Sequence, residues 1–332
     1  MSRPSDAGIF LWMTYQTMQK AGLDCAAIFA SVNMPDAPPD PHYRRDNTFQ
    51  RCFWEKAEQV SQDPDIGLHI GGLMPPFRGQ IIEYLFLSSP TFGEGLQRTV
   101  NYYQILTDAM RFGFAQHDQQ AMITGLHHPV RHYLECAIAI LLHFLRHVTD
   151  GEFQPLTIHL PHKQGAHAAE YQRIYGCPVQ LGMPDGAIVF DAALLARPSM
   201  AAEPQLLAVH EHLAAQRIAE LSQRHLIHQI EQQLGGLLEQ GDVQLEHVAT
   251  RLGKVPRQLR SELARINLTF TEVVAGYRER LARRLLARTQ EPIDQIIYLT
   301  GFSEPSAFTR AFKRWTGETP TAYRKRKQHD PI

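Results

Sequence analysis

The feature that most constrains the fold is a helix-turn-helix plan that occurs twice near the end of the chain. In the first copy, apolar residues recur at positions 245, 248, 249 and 252, at helical spacing. Gly253 then supplies a permissive turn. Pro256 suits the first turn of the next helix, because the N–H that proline lacks would have no intrahelical partner there. Leu259, Leu263 and Ile266 form a second apolar stripe.

The second copy follows the same plan. Its first helix begins at Ile293, and its turn and second helix lie within Thr300–Gly317. Position by position, the matching residues are Ile293, Ile296, Ile297 and Thr300 in the first stripe, Gly301 at the turn, and Phe308, Phe312 and Trp315 in the second stripe. The three aromatic side chains share one helical face, so we expect them to be core. The sequence therefore predicts helix-turn-helix units at 245–266 and 293–316, joined by a linker helix over Phe270–Ala287.

Two such units in tandem suit the geometry of duplex DNA. The major groove admits one α-helix, and equivalent faces of the duplex recur about every 34–36 Å. A linker helix of roughly 18 residues spans about 27 Å. It could therefore hold two recognition helices near that spacing.

The outward residues of the two second helices are of the types that read DNA. Arginine can bind guanine O6 and N7 with two hydrogen bonds, and glutamine can pair with adenine. The base-contacting candidates are Arg257, Gln258, Arg260, Ser261, Ser306, Ala307, Thr309 and Arg310. Other cations are better suited to phosphates, which fix register rather than sequence. The phosphate-contacting candidates are Arg265, Lys313, Arg314 and Arg324, the last within the basic tail 323–327.

The charge distribution supports a polyanionic partner for the C-terminal part. The whole chain has a net charge of −1, but residues 241–332 hold 17 Lys and Arg against 10 Asp and Glu. That part is drawn to a polyanion, although a solvated charged surface would have the same composition. No apolar run reaches the ~20 residues of a membrane span, and no signal peptide is recognised. The four scattered cysteines suit a reducing, cytoplasmic compartment.

The first part of the chain mixes helix and strand patterns. Helical periodicity occurs over Phe49–Gln62 and Thr91–Leu106, and a long apolar helix is predicted at His132–Val148. Two short strands are predicted around a turn at Asp118, and further strands at "PLTIHLP", "PVQLG" and "GAIVFD". Beyond Pro204 the patterns are all helical, with separate runs at 206–221 and 226–238. We therefore predict an α+β domain followed by an all-α domain.

The segment "IDQIIYLTGFSEPSAFTRAFKRWTGETPTAYR", Ile293–Arg324, closely resembles the C-terminal signature of the AraC/XylS family of bacterial transcription regulators. The resemblance covers about residues 225–326. It implies base contacts by Arg257, Arg260 and Ser261 in the first unit, and by Ser306, Ala307 and Arg310 in the second. The chain departs from the family at Val255, where a serine is common. Valine has no side-chain oxygen with which to cap the helix.

The N-terminal part resembles a domain labelled arabinose-binding-like, found in the AraC-family branch of the ornithine-utilisation regulator type. The stretches that carry this resemblance are "KAGLD", "DPDIGLHIG", "LSSPTFGEGLQ" and "YQRIYGCPVQLG". It implies a small-molecule sensor. The expected division is an effector-binding or dimerisation domain at 1–205, a connecting segment at 206–224 and a DNA-binding domain at 225–327.

We therefore expect a cytoplasmic, non-enzymatic transcription regulator, an activator or a dual regulator, that binds promoter DNA. The expected partners are double-stranded DNA, RNA polymerase, a small-molecule effector and a second copy of the chain, with no cofactor, metal or membrane. One alternative is control by dimerisation or a protein partner without a ligand. Another is metal binding, since 17 histidines include the i, i+4 pairs His128/His132 and His143/His147 and the cluster His159, His162 and His167. An enzyme lacks support, because no phosphate-binding, nucleophile or zinc-hydrolase motif is present.

Overall fold

The computed structural model describes residues 4–239, 241 and 243–329. The helices are α1 (Gly8–Lys20), α2 (Cys25–Ala30), α3 (Gln50–Ser61), α4 (Ile66–Leu73), α5 (Ile81–Leu87), α6 (Phe92–Tyr102), α7 (Arg131–Val148), α8 (Ala168–Tyr175), α9 (Pro204–Glu239), α10 (Leu245–Arg251), α11 (Pro256–Arg265), α12 (Phe270–Arg288), α13 (Ile293–Leu299), α14 (Pro305–Thr316) and α15 (Pro320–His329). The strands are β1 (Ser5–Asp6), β2 (Arg45–Asp46), β3 (Gly113–His117), β4 (Gln120–Thr124), β5 (Pro155–His159), β6 (Val179–Gln180) and β7 (Ala187–Asp191). Short 3-10 helices lie at Tyr103–Ile105 and Ala192–Ala196. The chain divides into two compact units between Ala219 and Glu220, which we call the N-terminal and C-terminal regions.

The N-terminal region contains a mixed five-stranded sheet in the order β3-β4-β7-β5-β6. Strands β5 and β6 are parallel, and the other neighbours are antiparallel. The hairpin predicted around Asp118 is confirmed: β3 and β4 pair from Gly113↔Thr124 to His117↔Gln120. Asp118 has φ 51°, a left-handed conformation that aspartate tolerates in tight turns. The predicted order of an α+β region before an all-α region is likewise confirmed.

The long apolar helix predicted at His132–Val148 is α7, and it packs closely on α4. The approach is so close that a Cβ atom on Gly67 of α4 would overlap the Cα atom of His132. Glycine is therefore required at this crossing. The helix predicted at Phe49–Gln62 is α3, and the one predicted at Thr91–Leu106 is α6 followed by a 3-10 turn.

Helix α9 differs from the two separate helical runs predicted at 206–221 and 226–238. It is one continuous helix, Pro204–Glu239. The residues between the two runs include neither proline nor glycine, so no backbone feature interrupts the hydrogen-bond ladder.

The C-terminal region has two apolar clusters, one for each helix-turn-helix unit. The first joins the leucines and isoleucine at the end of α9 to α10, α11 and the start of α12. The second joins the end of α12 to α13, α14 and α15, and it is rich in aromatic residues. The predicted linker helix is α12, which therefore belongs to both clusters.

Candidate nucleic-acid interface and interior cavity

Helix α11, the second helix of the first unit, is amphipathic in the way that the sequence predicts. Leu259 and Leu263 are buried on its inner side. The candidate side chains on its outer side are all exposed: Arg257, Gln258, Arg260, Ser261 and Arg265. The helix starts at Pro256, and Val255 makes no side-chain cap hydrogen bond, as the departure from the family pattern predicts.

Several polar side chains on and around α11 are held by carboxylates. Gln258 Nε2 donates to Glu262 Oε1 at 3.1 Å, and Lys254 pairs with the same glutamate. Arg260 Nη2 lies 3.8 Å from Glu246 Oε1, and both side chains are well exposed. Exposed pairs of this kind are worth about 0–1 kcal/mol. They would yield easily to a phosphate or a base edge.

Helix α14, the second helix of the second unit, has an exposed face whose side chains make fewer hydrogen bonds and ion pairs than those of α11. Ser306, Thr309, Arg310, Lys313 and Arg314 are exposed, and Ala307 is half-buried. Within the part of the chain that the structure describes, the Arg310 guanidinium and the Lys313 ammonium make no hydrogen bond or ion pair. Both cations are therefore available to an outside partner.

The inner face of α14 is the aromatic core that the sequence predicts. Phe308 and Phe312 are fully buried, and Trp315 is partly buried against them. Phe312 meets Tyr323 of α15 edge to face, with ring centroids 5.3 Å apart. This packing orients the outer face of α14 because it fixes the rotation of the helix about its axis.

The linker helix α12 is fastened to the second unit by two arginines. Arg278 Nη2 donates to the carbonyl oxygen of Gly301 at 3.0 Å, and its guanidinium stacks over the ring of Phe302. Arg283 Nη2 donates to the carbonyl oxygen of Trp315 at 2.9 Å. Gly301 itself has φ +71°, and a Cβ atom there would lie 2.5 Å from Leu238 Cδ2. The turn of the second unit therefore has little freedom to move against α12.

One phosphate candidate already has a structural contact. Arg324 of α15 is half-buried, and its Nη2 donates to the carbonyl oxygen of Glu291 at 2.6 Å. This bond ties α15 to the segment between α12 and α13. A phosphate would have to share or replace it.

The N-terminal region contains a cavity of about 110 Å³. Its walls come from α1, α3, α6, α7 and the loops beside them, and most of the lining is aromatic or aliphatic. Typical lining residues are Phe10, Phe49, Phe53, Phe77, Tyr103, Met110, Ile140 and Phe144. A cavity of this size and character is a candidate ligand site.

A network of satisfied hydrogen bonds lies at one edge of the cavity, around Asp6. Thr107 Oγ1 donates to Asp6 Oδ1 at 2.6 Å, and Tyr133 Oη donates to the same oxygen at 2.9 Å. Asn47 and Gln50 donate to Asp6 Oδ2 at 2.5 and 3.4 Å. Burial raises the pKa of the Asp6 carboxyl, although these donors oppose that effect. The lone pairs of this carboxylate are therefore largely occupied.

Two other lining residues carry donors without partners. The indole N–H of Trp54 is buried and makes no hydrogen bond to a described residue, and the same is true of Nε of Arg45. The neighbouring Arg44 is different: it donates to Ser5 and Ile105 and lies 3.5 Å from Asp108. Sequence patterns did not predict the cavity. Two of its lining residues, Asp6 and Arg45, come together only because β1 pairs with β2, and a long loop separates these two strands in the sequence.

Several of the candidate histidines contact polar groups within the protein, whereas Nε2 of His162 is buried and makes no hydrogen bond to a described residue. His128 Nε2 pairs with Asn47 Oδ1 at 2.7 Å, His132 lies 3.0 Å from Glu58, and His147 lies 2.7 Å from Glu83. Over residues 4–239, 241 and 243–329, no group of three or more His, Cys, Asp or Glu side chains is placed to hold a metal ion. The metal-binding alternative thus has no geometric support in those residues.

The cysteines do not form a redox pair, and no described helix could cross a bilayer. All four are free thiols, and Cys52 is exposed while the other three are buried. Burial raises the pKa of the Cys136 thiol to about 12, so it stays neutral. Among the helices in the described ranges, none is both long and apolar enough to span a membrane.

Comparison with known proteins agrees with both regions. The model described as the arabinose-binding domain of AraC transcription regulators matches residues 22–199, and a helix-turn-helix domain model matches residues 248–326. The ornithine utilization regulator of Pseudomonas aeruginosa is 28% identical over 311 residues, which are 91% of each chain. The transcriptional regulator VirS of Mycobacterium tuberculosis is 27% identical over 340 residues, covering 95% of this chain and 94% of its own.

Among solved structures, the transcriptional regulator CdpR of Pseudomonas aeruginosa aligns over 94% of this chain and 98% of its own, with 19% identity and a TM-score of 0.42. The family models and the full-length relatives carry the assignment. The chain belongs to the AraC family of transcription regulators, in the branch with an arabinose-binding-type N-terminal domain, and it is a DNA-binding protein rather than an enzyme.

Proposed function

We propose that the protein reads promoter DNA by placing α11 and α14 in the major groove. The observation that carries this proposal is the division of α14 into a buried aromatic face and an exposed face whose cations Arg310 and Lys313 have no partner among the described residues. In this arrangement Arg257, Gln258, Arg260 and Ser261 contact bases in one groove segment. Ser306, Ala307, Thr309 and Arg310 contact bases in the next, and Arg265, Lys313, Arg314 and Arg324 bind phosphates.

The length and attachment of α12 support a paired mode of binding. Its 19 residues span about 28 Å at 1.5 Å per residue. That length is close to the 34–36 Å between successive major-groove faces. The arginine contacts with Gly301 and Trp315 keep the second unit fixed to this helix. Both recognition helices therefore engage the same side of the duplex.

We propose further that the cavity of the N-terminal region binds a small-molecule effector that changes DNA affinity. Its largely apolar lining and its two buried donors without partners among the described residues support this role. The assignment of residues 1–205 to the effector domain, 206–224 to a connecting segment and 225–327 to the DNA-binding domain is part of the same proposal, as is a cytoplasmic location. In this proposal, activation takes place through contact with RNA polymerase.

The first turns of α9 support a homodimer. Leu206, Val209 and Leu213 lie at i, i+3 and i+7 and are 52%, 53% and 45% exposed. An exposed apolar stripe of this kind suits a second copy of the same helix. Sedimentation of the wild type and of a Leu206→Asp/Leu213→Asp double variant tests this. The wild type is expected as a dimer and the variant as a monomer, and a monomeric wild type would reject the proposal.

The test of DNA reading is a mobility-shift titration of the full chain on genomic promoter fragments and on scrambled versions of them, at several salt concentrations. Selective binding that falls steeply with salt is expected, because each neutralised phosphate releases a counterion. A Gly301→Val variant serves as a control, since its side chain would displace the turn that fixes the second unit. Equal affinity for cognate and scrambled DNA, with and without cell extract as an effector source, would contradict base reading.

A further inference from the structure

The size of the cavity in the N-terminal region limits what it can bind. A volume of about 110 Å³ is of the same order as the roughly 150 Å³ apolar cavity that holds a molecule such as benzene. The cavity therefore selects a compact occupant, and nucleotides and oligopeptides are too large for it.

The lining of the cavity limits the polarity of the occupant. Aromatic and aliphatic side chains from α1, α3 and α7 form most of the wall, including Phe53, Phe77 and Ile140. A sugar would bring several hydroxyl groups into this surface, and each hydroxyl without a hydrogen bond costs about 1–3 kcal/mol. The wall therefore selects an apolar body, despite the arabinose label of the domain.

The buried polar groups of the lining that lack a hydrogen-bond partner among the described residues are donors. The Trp54 indole can only donate, Trp54 is 2% exposed, and its N–H makes no hydrogen bond to a described residue. The Arg45 side chain is half-buried, its Nε is buried without a partner, and no described carboxylate forms an ion pair with it. Buried donors in native proteins are nearly always satisfied. An acceptor on the occupant would satisfy both.

The one carboxylate of the lining does not offer a comparable site for a cation. Both Asp6 oxygens already accept hydrogen bonds, from Thr107 and Tyr133 on one side and from Asn47 and Gln50 on the other. An ammonium group would have to displace these donors. A diamino acid such as ornithine would also bring two cations and its own carboxylate into an apolar wall.

From these observations we infer that the cavity binds a compact carboxylate with an apolar body, whose acid group accepts hydrogen bonds from Trp54 and Arg45. This inference rests on the proposed effector-binding function of the N-terminal region. It names the chemical class of the effector and the two residues that select it.

The test is isothermal titration calorimetry of the full chain with defined probes. Octanoate and 3-phenylpropionate have the expected size and acid group, and 1-octanol is the matched neutral probe. Octylamine, L-ornithine and L-arabinose represent the excluded classes. At least one carboxylate is expected to bind one per chain, about tenfold or more tighter than 1-octanol, because a hydrogen bond to a charged group is stronger than a neutral one.

Variants locate the binding. Trp54→Phe keeps an aromatic ring but removes the N–H, and Arg45→Gln removes the charge. Each is expected to weaken carboxylate binding about tenfold while leaving 1-octanol unchanged. The matched controls are Trp12→Phe and Arg51→Gln, neither of which lines the cavity. Ala137→Leu, which adds volume to the wall, is expected to weaken every probe, and circular dichroism verifies that each variant is folded.

The outcomes separate this inference from the proposed function. If a carboxylate binds as expected but DNA affinity does not change, the ligand class holds and effector control fails. If ornithine or arabinose binds more tightly than both carboxylates, the inferred ligand class is wrong. If that same compound also changes DNA affinity, effector control by the N-terminal region still holds. Carboxylate binding that survives in both Trp54→Phe and Arg45→Gln would overturn the assignment of the two residues.

Discussion

The N-terminal region buries ionisable and amide side chains, whereas the C-terminal region buries almost none. Buried polar residues before Ala219 include Asp6, Asn47, Gln50, Glu83, His128, His132 and Glu135. Among the described residues of the C-terminal region, the only buried polar side chain is Thr300, whose hydroxyl donates to a backbone carbonyl of α13. The charged side chains of that region are exposed or half-buried.

This difference in burial indicates which solution variable each region responds to. A buried ionisable group couples folding to proton binding, because its pKa in the folded protein differs from that in the unfolded chain. A surface cation couples binding to salt, because it displaces counterions from a polyanion. The N-terminal region is therefore expected to respond to pH and small ligands, and the C-terminal region to salt and DNA.

The largest effect is expected from removing a buried ring from one region at a time. Phe312→Ala should destabilise the C-terminal region by about 3–5 kcal/mol, through lost burial and an unfilled cavity. DNA binding should then be lost while the N-terminal region stays folded. Phe153→Ala is the mirror substitution, since Phe153 is fully buried in the N-terminal core. Scanning calorimetry of thermal unfolding should show one shifted transition in each variant. A common shift of all transitions would contradict the separate stability of the two regions.

The next effect concerns Glu135, which is fully buried between α7 and α8. Tyr171 donates to its Oε1, and Arg131 Nε lies 3.7 Å from its Oε2. Burial raises the pKa of Glu135 from 4.5 to about 7, with Arg131 opposing the change. The pKa of Glu135 is higher in the folded protein than in the unfolded chain. Its protonated form therefore contributes stability that is fully present below pH 4.5 and is lost as the pH rises through 7.

Glu135→Gln should therefore remove this loss. Relative to wild type, the variant should gain on the order of 3 kcal/mol between pH 4.5 and pH 8, at 1.36 kcal/mol per pKa unit. Urea unfolding across that range measures the gain. The control is Glu55→Gln, whose carboxylate is 63% exposed. Parallel pH profiles for the Glu135→Gln variant and the wild type would show that Glu135 does not couple folding to protons.

A smaller effect is expected from Arg310→Ala on α14. Loss of a bidentate base contact costs about 1–3 kcal/mol of discrimination at one base pair. Binding to the cognate fragment should weaken about 5- to 150-fold, and binding to scrambled DNA much less. Arg251→Ala, an exposed arginine at the end of α10, serves as the control. Equal losses on cognate and scrambled DNA would mean that Arg310 binds phosphate instead.

The smallest effect is expected from Lys313→Ala. This change should weaken binding to all sequences to a similar degree and reduce the slope of log affinity against log salt by about 1. Lys163→Ala, an exposed lysine of the N-terminal region, should leave the slope unchanged. If both lysines change the slope equally, salt dependence does not belong to the C-terminal region alone.

The parts of the molecule that could be predicted from sequence are those fixed by local patterns. Helical spacing placed α3, α7, α11 and α14, and alternation placed the β3–β4 hairpin. The outer face of α14 could be predicted because Phe308, Phe312 and Trp315 share one helical face and so mark the buried side. The doubled pattern carried the functional assignment, since a single helix-turn-helix pattern is common.

The parts that could not be predicted depend on long-range contacts. Strands β1 and β2 have two residues each, too few for any periodicity, and they pair across a separation of about 40 residues. The cavity wall combines residues of α1, α3, α6 and α7 that share no pattern. Trp54 is buried like an ordinary core residue, and only its missing hydrogen-bond partner distinguishes it. The ion pairs of Arg260 and Lys254 also depend on side-chain positions that sequence does not give.

The rigid attachment of α12 to the second unit has a consequence for promoter sequences. Because one turn of B-DNA contains about 10–10.5 base pairs, inserting a single base pair rotates the far half of the site by roughly 35°. A linker held at Gly301 and Trp315 cannot follow that rotation. Target promoters should therefore contain two short boxes at one fixed spacing. A genome search for them should allow mismatches within a box but no insertion or deletion between the boxes.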